Sequence, residues 1–203
     1  ADLASFMPKL RHFRDAMYVD ASVRGDREML EIPLMQVRSQ GDQVALRLDN
    51  ALVHLPLDTL EKMEVSANVS YLNVTNEGIP FLWHNLMGDE AALPEVLQNL
   101  KHIRFDGKVG GELDNMSTYG HLATGIGEVV ADARILYLVD STLVCKGHIA
   151  SDSLDMETLM GGEQELGTVS FNLDFDGKLP LRGEPDLYLN GNIPTLQYSG
   201  YEY

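Results

Sequence analysis

The sequence predicts an all-β fold with a few short helices, built on antiparallel sheet, and three observations predict it. Apolar residues recur with a two-residue period, helical spacing is confined to short pieces, and the alternation leaves one face of each strand apolar and the other polar. Val169 to Lys178 is the clearest case, with Val169, Phe171, Leu173, Phe175 and Gly177 on one side and Ser170, Asn172, Asp174, Asp176 and Lys178 on the other. Parallel strands covered by helices on both faces would read as unbroken apolar runs instead.

Taken along the chain, Leu3, Phe6, Met7, Leu10 and Phe13 have helical spacing, with Pro8 placed to start or bend a helix. Met17, Val19, Ala21 and Val23 alternate with Tyr18, Asp20, Ser22 and Arg24, and Val44, Leu46 and Leu48 give a shorter strand. Asp58 caps an expected turn through Met63, and Val65, Ala67 and Val69 then alternate with Ser66, Asn68 and Ser70. Pro80 stands at the first helical position before Phe81, Leu82, Trp83 and Leu86, with Gly88 as the stop, and Pro94 to Leu100 repeats the device. Ile103 and Phe105 begin another strand. Val129 to Tyr137 and Leu143 to Ile149 alternate more loosely, and Ser153 to Met160 is a helix closing on Gly161 and Gly162. Leu187, Leu189, Gly191 and Ile193 complete roughly ten strands.

An internal echo accompanies these elements. Phe105, Asp106, Gly107 and Lys108 recur as Phe175, Asp176, Gly177 and Lys178, each after a short helix, which divides the chain into sub-repeats 1–101 and 102–203.

Composition narrows the function classes. The 203 residues carry 15 Lys and Arg against 31 Asp and Glu, a net charge of −16 that disfavours nucleic acid and anionic headgroups. No apolar run approaches the ~20 residues a membrane-spanning helix needs. Cys145 is the single cysteine, so neither an intrachain disulfide nor a cysteine zinc site is available, and its place on an apolar strand makes it a buried, inert thiol. Ala1 is not an initiator Met, and Tyr201 and Tyr203 still alternate with polar neighbours, so an excised piece of a longer chain is expected.

Motifs with chemical meaning are weak. Asn172, Asp174, Asp176 and Gly177 match the opening of a calcium loop, but position twelve is Gly183 and the intervening Leu173 and Phe175 fit a strand. No two of the six histidines are spaced to share a metal. Gly120, Gly125 and Gly127 lack the Lys-Ser/Thr of a phosphate loop and read as strand ends. No catalytic constellation, metal site or cofactor is expected, and the chain is not read as an enzyme.

The order of Gly120 through Gly127, Ala131-Asp132, the helix with Leu154, Leu159 and Met160, Leu166 to Ser170, the Phe175 to Lys178 turn, Gly191-Asn192-Ile193 and Tyr198 to Tyr201 resembles the repeat region of the TamB group of AsmA-like envelope proteins of Gram-negative bacteria. Phe6 to Leu10 and Leu93 to Gly107 share the resemblance. It implies an elongated antiparallel sheet curled into an open apolar trough, a β-taco. It also implies a periplasmic location, with anchoring to the inner membrane through a segment outside this chain. The implied roles are phospholipid transport to the outer membrane and outer-membrane protein assembly.

A physical argument runs beside the resemblance. Strands so uniformly one-sided must hide their apolar face against a second sheet, helices or a ligand. Exposing two acyl chains of ~16 carbons to water costs roughly 20 kcal/mol or more at ~0.8 kcal/mol per CH₂, and an apolar groove removes most of that barrier. The expected lining is Val65, Ala67, Val69, Ile103, Phe105, Val129, Ala131, Leu143, Val169, Phe171, Leu173, Phe175, Leu187, Leu189 and Ile193. Small residues such as Ala67, Ala131 and Gly191 leave room within it. The expected ligand is a phospholipid or another acyl-chain molecule. The alternative is a scaffold or chaperone adding an edge strand to outer-membrane assembly proteins or client barrels. A closed β-sandwich for adhesion or sugar binding is the third reading, disfavoured by the single Trp83 and an expected lack of exposed aromatic platforms.

Overall fold

The computed structural model describes residues 15–56, 62–88, 91–112, 114–138, 142–162, 165–180, 184 and 186–203, so the expected Leu3 to Phe13 helix and the Asp58 cap lie outside the described residues. Eleven strands are formed: β1 (Met17–Gly25), β2 (Met29–Ser39), β3 (Val44–His54), β4 (Glu64–Val74), β5 (Ile103–Glu112), β6 (Asn115–Thr124), β7 (Gly127–Tyr137), β8 (Thr142–Asp155), β9 (Leu166–Pro180), β10 (Asp186–Tyr198) and β11 (Tyr201–Glu202). Three short helices interrupt them: α1 (Gly78–Met87), α2 (Glu95–Asn99) and α3 (Met156–Leu159). The strands form one sheet in chain order, every neighbour antiparallel, and the sheet does not close into a barrel. The fold class is the expected one, a curled and open all-β sheet. It is one sheet and not the two packed layers of a sandwich.

Successive turns alternate between the two rims of the sheet. One rim carries the β2–β3 and β6–β7 turns and all three helices, since α1 and α2 connect β4 to β5 and α3 connects β8 to β9. Here the main core forms. Val44, Val74 and Ile79 are buried together, and Leu72, Phe81, Leu82, Leu97, Leu100 and Ile103 pack against them. Asn99 donates to the Leu159 carbonyl at 3.1 Å, which ties α2 to the end of α3. The opposite rim, with the β1–β2 and β5–β6 turns, carries no α-helix among the described residues.

Elements differ from expectation where a strand overrides a local helix signal. Ser153 lies in β8, which runs on to Asp155, so the expected Ser153 to Met160 helix shortens to α3. Asp155 caps it: its carboxylate accepts from the Thr158 N–H at 2.9 Å and the Thr158 hydroxyl at 2.6 Å. Pro80 sits inside the first turn of α1 and not at its first position, while Pro94 is the N-cap of α2. Gly120 lies in the middle of β6, not at a strand end. β1 fits its expected span, yet both of its faces are largely exposed.

The sheet curls because its strands are interrupted near their middles. The β3–β4 register slips between Asp49 and Leu52, and the β4–β5 register between Val69 and Leu72. Extra residues of this kind bend a strand and increase its twist. Gly107 and Gly191, at φ 158 and 152, occupy the mirror-image extended region that only glycine enters without strain, in the same middle zone.

The division at 101/102 falls between two paired strands, with Val74 opposite Ile103. The echoed tetrapeptides occupy different depths. Phe105 pairs with Leu72 and Leu122, whereas Phe175 pairs with Gly147 and Leu189.

Candidate functional site

Cross-strand register shows what the alternation builds. One row runs Gly25, Leu30, Val53, Val65, Gly111, Met116, Ile135, Cys145, Gly177, Leu187 without a break. A second, four residues away on both edge strands, runs Ala21, Met35, Leu48, Val69, Gly107, Gly120, Ala131, Ile149, Leu173, Gly191. Between them lies a row containing Ala67, Val109, Thr118, Ala133, Gly147, Phe175 and Leu189. Directly opposed residues share a face, so these rows form one apolar surface across ten strands.

Every expected lining residue except Ile193 falls on that surface. Phe105 and Val129 both face Leu122, Phe171 faces Ser151, Leu143 faces Tyr137 near the opposite rim, and Ile103 and Val169 lie near the helical rim. Ile193 sits in the β10 irregularity between Asn192 and Thr195 and is exposed. Burial is graded along the surface. Ala67, Val69 and Val169 are buried; Val65, Phe105, Ala131, Phe171, Leu173 and Phe175 are half-buried; Leu187 and Leu189 are 45% and 49% exposed. Away from the helical rim, no residue of this face has less than 2% exposure among the described residues; Val74 and Ser39, the two that do, both lie at that rim. The protein gives its own apolar surface a partial cover.

The row positions left empty by glycine are filled from the side. A Cβ on Gly120 would come within 2.6 Å of the Phe105 ring, and one on Gly107 within 3.0 Å, so the outer end of that ring covers two adjacent glycines. Leu187 covers Gly177 in the same way, with its methyl 2.8 Å from where a Cβ would stand. Cys145 is buried beside them, its Sγ 3.8 Å from the Gly177 carbonyl oxygen, and burial pushes its thiol pKa up.

Sequence reasoning missed part of this face. β2 escaped because an extra residue near Pro33 breaks the two-residue period: Leu30 and Ile32 share the face with Met35 and Val37. β6 escaped because its inward positions are Met116, Thr118, Gly120, Leu122 and Thr124, only two of them strongly apolar.

The other face is polar and internally paired. His121 lies between Glu128, at 3.1 Å, and Asp106, at 3.7 Å; His148 reaches Asp174 at 2.9 Å, and Lys146 reaches Asp176 at 3.0 Å. The calcium-loop match therefore lies within β9, its two aspartates engaged across the sheet by β8. Arg47 and the Ser70 hydroxyl hold the Asp49 carboxylate, lowering its pKa, with the Ser70 bond the larger cause. A shallow groove of about 540 Å³ crosses β6 to β10, lined by Arg134, Lys146, His148, Asp174 and Tyr188 among others. Tyr18, Tyr71, Tyr119 and Tyr188 are exposed, which corrects the expected lack of aromatic platforms. Each stands opposite a charged residue of the next strand: Tyr18 opposite Arg38, Tyr71 opposite Arg47, Tyr119 opposite Lys108 and Tyr188 opposite Asp176. Among the described residues no group of three or more His, Cys, Asp or Glu side chains converges to hold a metal ion, and no helix is long and apolar enough to cross a membrane.

Comparison of the chain with protein-family models, with characterised proteins and with solved structures finds no match.

Proposed function

We propose that this chain is a segment of a lipid-conducting trough, shielding acyl chains of phospholipids on their way to the outer membrane of a Gram-negative envelope. In this reading it works in the periplasm as one stretch of an AsmA-like, TamB-type protein held to the inner membrane elsewhere. The observation that carries it is the apolar face, continuous across ten strands, packed by helices at one rim and only half-covered along the rest. Such a face gains from acyl chains what it lacks from protein. It gains little relative to a bilayer, which suits a conduit because tight binding would trap the cargo. Ten strands at ~4.8 Å span about 50 Å, enough for one or two lipids lengthwise.

The test is uptake of a fluorescent phospholipid by the delipidated protein, with mass spectrometry of the purified sample for retained lipid. Wild type should take up the probe, and Ala131→Trp, at a half-buried mid-face position, should reduce uptake severalfold with an unchanged circular dichroism spectrum. Ala67 is too buried for the same substitution to spare the fold. Absence of both uptake and retained lipid sinks the reading.

The second reading, a scaffold that adds an edge strand to a client barrel protein, draws on β1, which among the described residues has a partner on one side only. It expects crosslinks from β1 to unfolded barrel peptides that persist when the face is filled with lipid.

A further inference from the structure

Both lateral edges of the sheet leave the apolar face unfinished. On β1, Val19 and Val23 are 62% and 58% exposed, and on β10 Leu187 and Leu189 are similarly bare. β11 and the residues after it cover only the end of β10, through Gln197 opposite Glu202 and the paired Leu196–Tyr203 backbone bonds. The stretch of β10 from Asp186 to Ile193 has no second neighbour among the described residues.

These two edges are complementary. The rows ending at Leu187 and Gly191 on β10 begin at Gly25 and Ala21 on β1, four residues apart on each edge, because the extra residues inside β2 and β3 cancel across the sheet. β1 and β10 run antiparallel, and an even number of strands separates equivalent positions, so the hydrogen-bonding sense along each row returns in phase. We infer that β1 of one copy of this chain pairs with β10 of another, in antiparallel register Gly25–Leu187 and Ala21–Gly191, continuing the sheet from molecule to molecule.

In that register Val23 opposes Leu189 on the apolar face, and Val19 reaches the start of the β10 irregularity beside Ile193. On the polar face Arg24 opposes Tyr188, Ser22 opposes Asn190 and Asp20 opposes Asn192, so a cation faces an aromatic ring, while Asp26, just past the end of β1, comes opposite Asp186 and adds a repulsion for salt to screen. The contact is heterologous, joining two different edges, so each copy keeps one edge free after pairing and addition continues beyond a dimer. Each copy carries −16, so assembly should strengthen as salt screens the repulsion. The inference concerns copies of this chain and stands whether or not the trough carries lipid.

Light scattering during size exclusion, on the full chain without lipid, should give a mass that rises with concentration and with salt, beyond a dimer. The double variant Ser22→Cys, Asn190→Cys should oxidise into a ladder of covalent multimers, because directly opposed Cα atoms lie ~4.5–5.5 Å apart, within disulfide reach. The register-shifted Ser22→Cys, Tyr188→Cys should not. Val23→Lys with Leu189→Lys, both exposed positions, should weaken association at least tenfold while the melting curve is unchanged. Val23→Lys with Leu189→Glu should restore it. A monomer at all concentrations and salt levels, a closed dimer, or equal crosslinking by both cysteine pairs overturns the inference. Loss of lipid uptake with the ladder intact would strike the transport reading and leave this one standing.

Discussion

Glycine is usually a weakness in a strand, yet in this protein Gly107 and Gly120 stand opposite one another beneath a single aromatic ring. Phe105 supplies the side chain that two positions lack, so its removal opens a gap three residues wide. Phe105→Ala should destabilise the fold by about 3–5 kcal/mol, the usual cost of truncating a packed phenylalanine, measured by urea unfolding. A loss below about 1 kcal/mol would mean that the ring is not part of the packing. Asp155 is the second residue with a disproportionate role. The Thr158 hydroxyl first, and the Thr158 N–H second, hold its carboxyl below the usual range. A lowered carboxyl pKa contributes stability that is full above the unfolded value near ~4 and disappears as pH falls through the lower folded value. Asp155→Asn keeps a capping oxygen and should flatten that part of the acid limb, whereas Asp155→Ala should cost ~1 kcal/mol at neutral pH as well. An acid limb identical in wild type and Asp155→Asn would exclude the carboxylate from this role.

At the scale of elements, α1 and α2 are too short to persist alone, and α2 has five residues. What holds them is the sheet: Ile79 is buried against Val44 and Val74, and Phe81, Leu82 and Leu97 add to the same cluster. Ile79→Ala should therefore cost about 2–4 kcal/mol and melt α1 locally before the sheet, seen as lost protection of α1 amides in hydrogen exchange. Uniform loss across all strands instead would make the helices part of one cooperative block. Elements also explain what was legible in advance. β9 was readable because its side chains alternate without interruption from Val169 to Lys178. β2 was not, because one extra residue near Pro33 reverses the parity halfway along, and α3 was overread because Ser153 and Asp155 resemble caps while backbone pairing with β9 carries the strand past the first of them. Which residues share the apolar face was largely legible, since facing follows from parity alone. Their degree of cover was not, since burial depends on which neighbours the rows bring alongside.

For the molecule as a whole, every strand among the described residues pairs only with those before and after it in sequence. Stability in such an array is close to a sum of nearest-neighbour terms. The helical rim adds its packing at β3, β4 and β5, Met17 at the start of β1 joins it, and the rest of β1 is left largely exposed. Amide exchange should then be slowest in β4 and β5 and fastest in β1 and in β10 and β11, with intermediate strands graded between them, as mass-resolved deuterium uptake would display. Equal protection in β1 and β4 would contradict the graded picture. Facing was readable at this scale too, but the curl was not, because it depends on the register slips at Asp49 and Val69 and on two glycines whose φ values no composition reveals.

The same chain-order pairing governs how the protein reaches its shape. No segment has to wait for a distant one, since the loop to be closed before each new ladder forms is short; the longest, through α1 and α2, links Val74 to Ile103. A chain threaded out through a narrow pore could thus zip up hairpin by hairpin as it emerges, each finished strand serving as the template for its successor, with only the newest edge exposed to wrong partners at any moment.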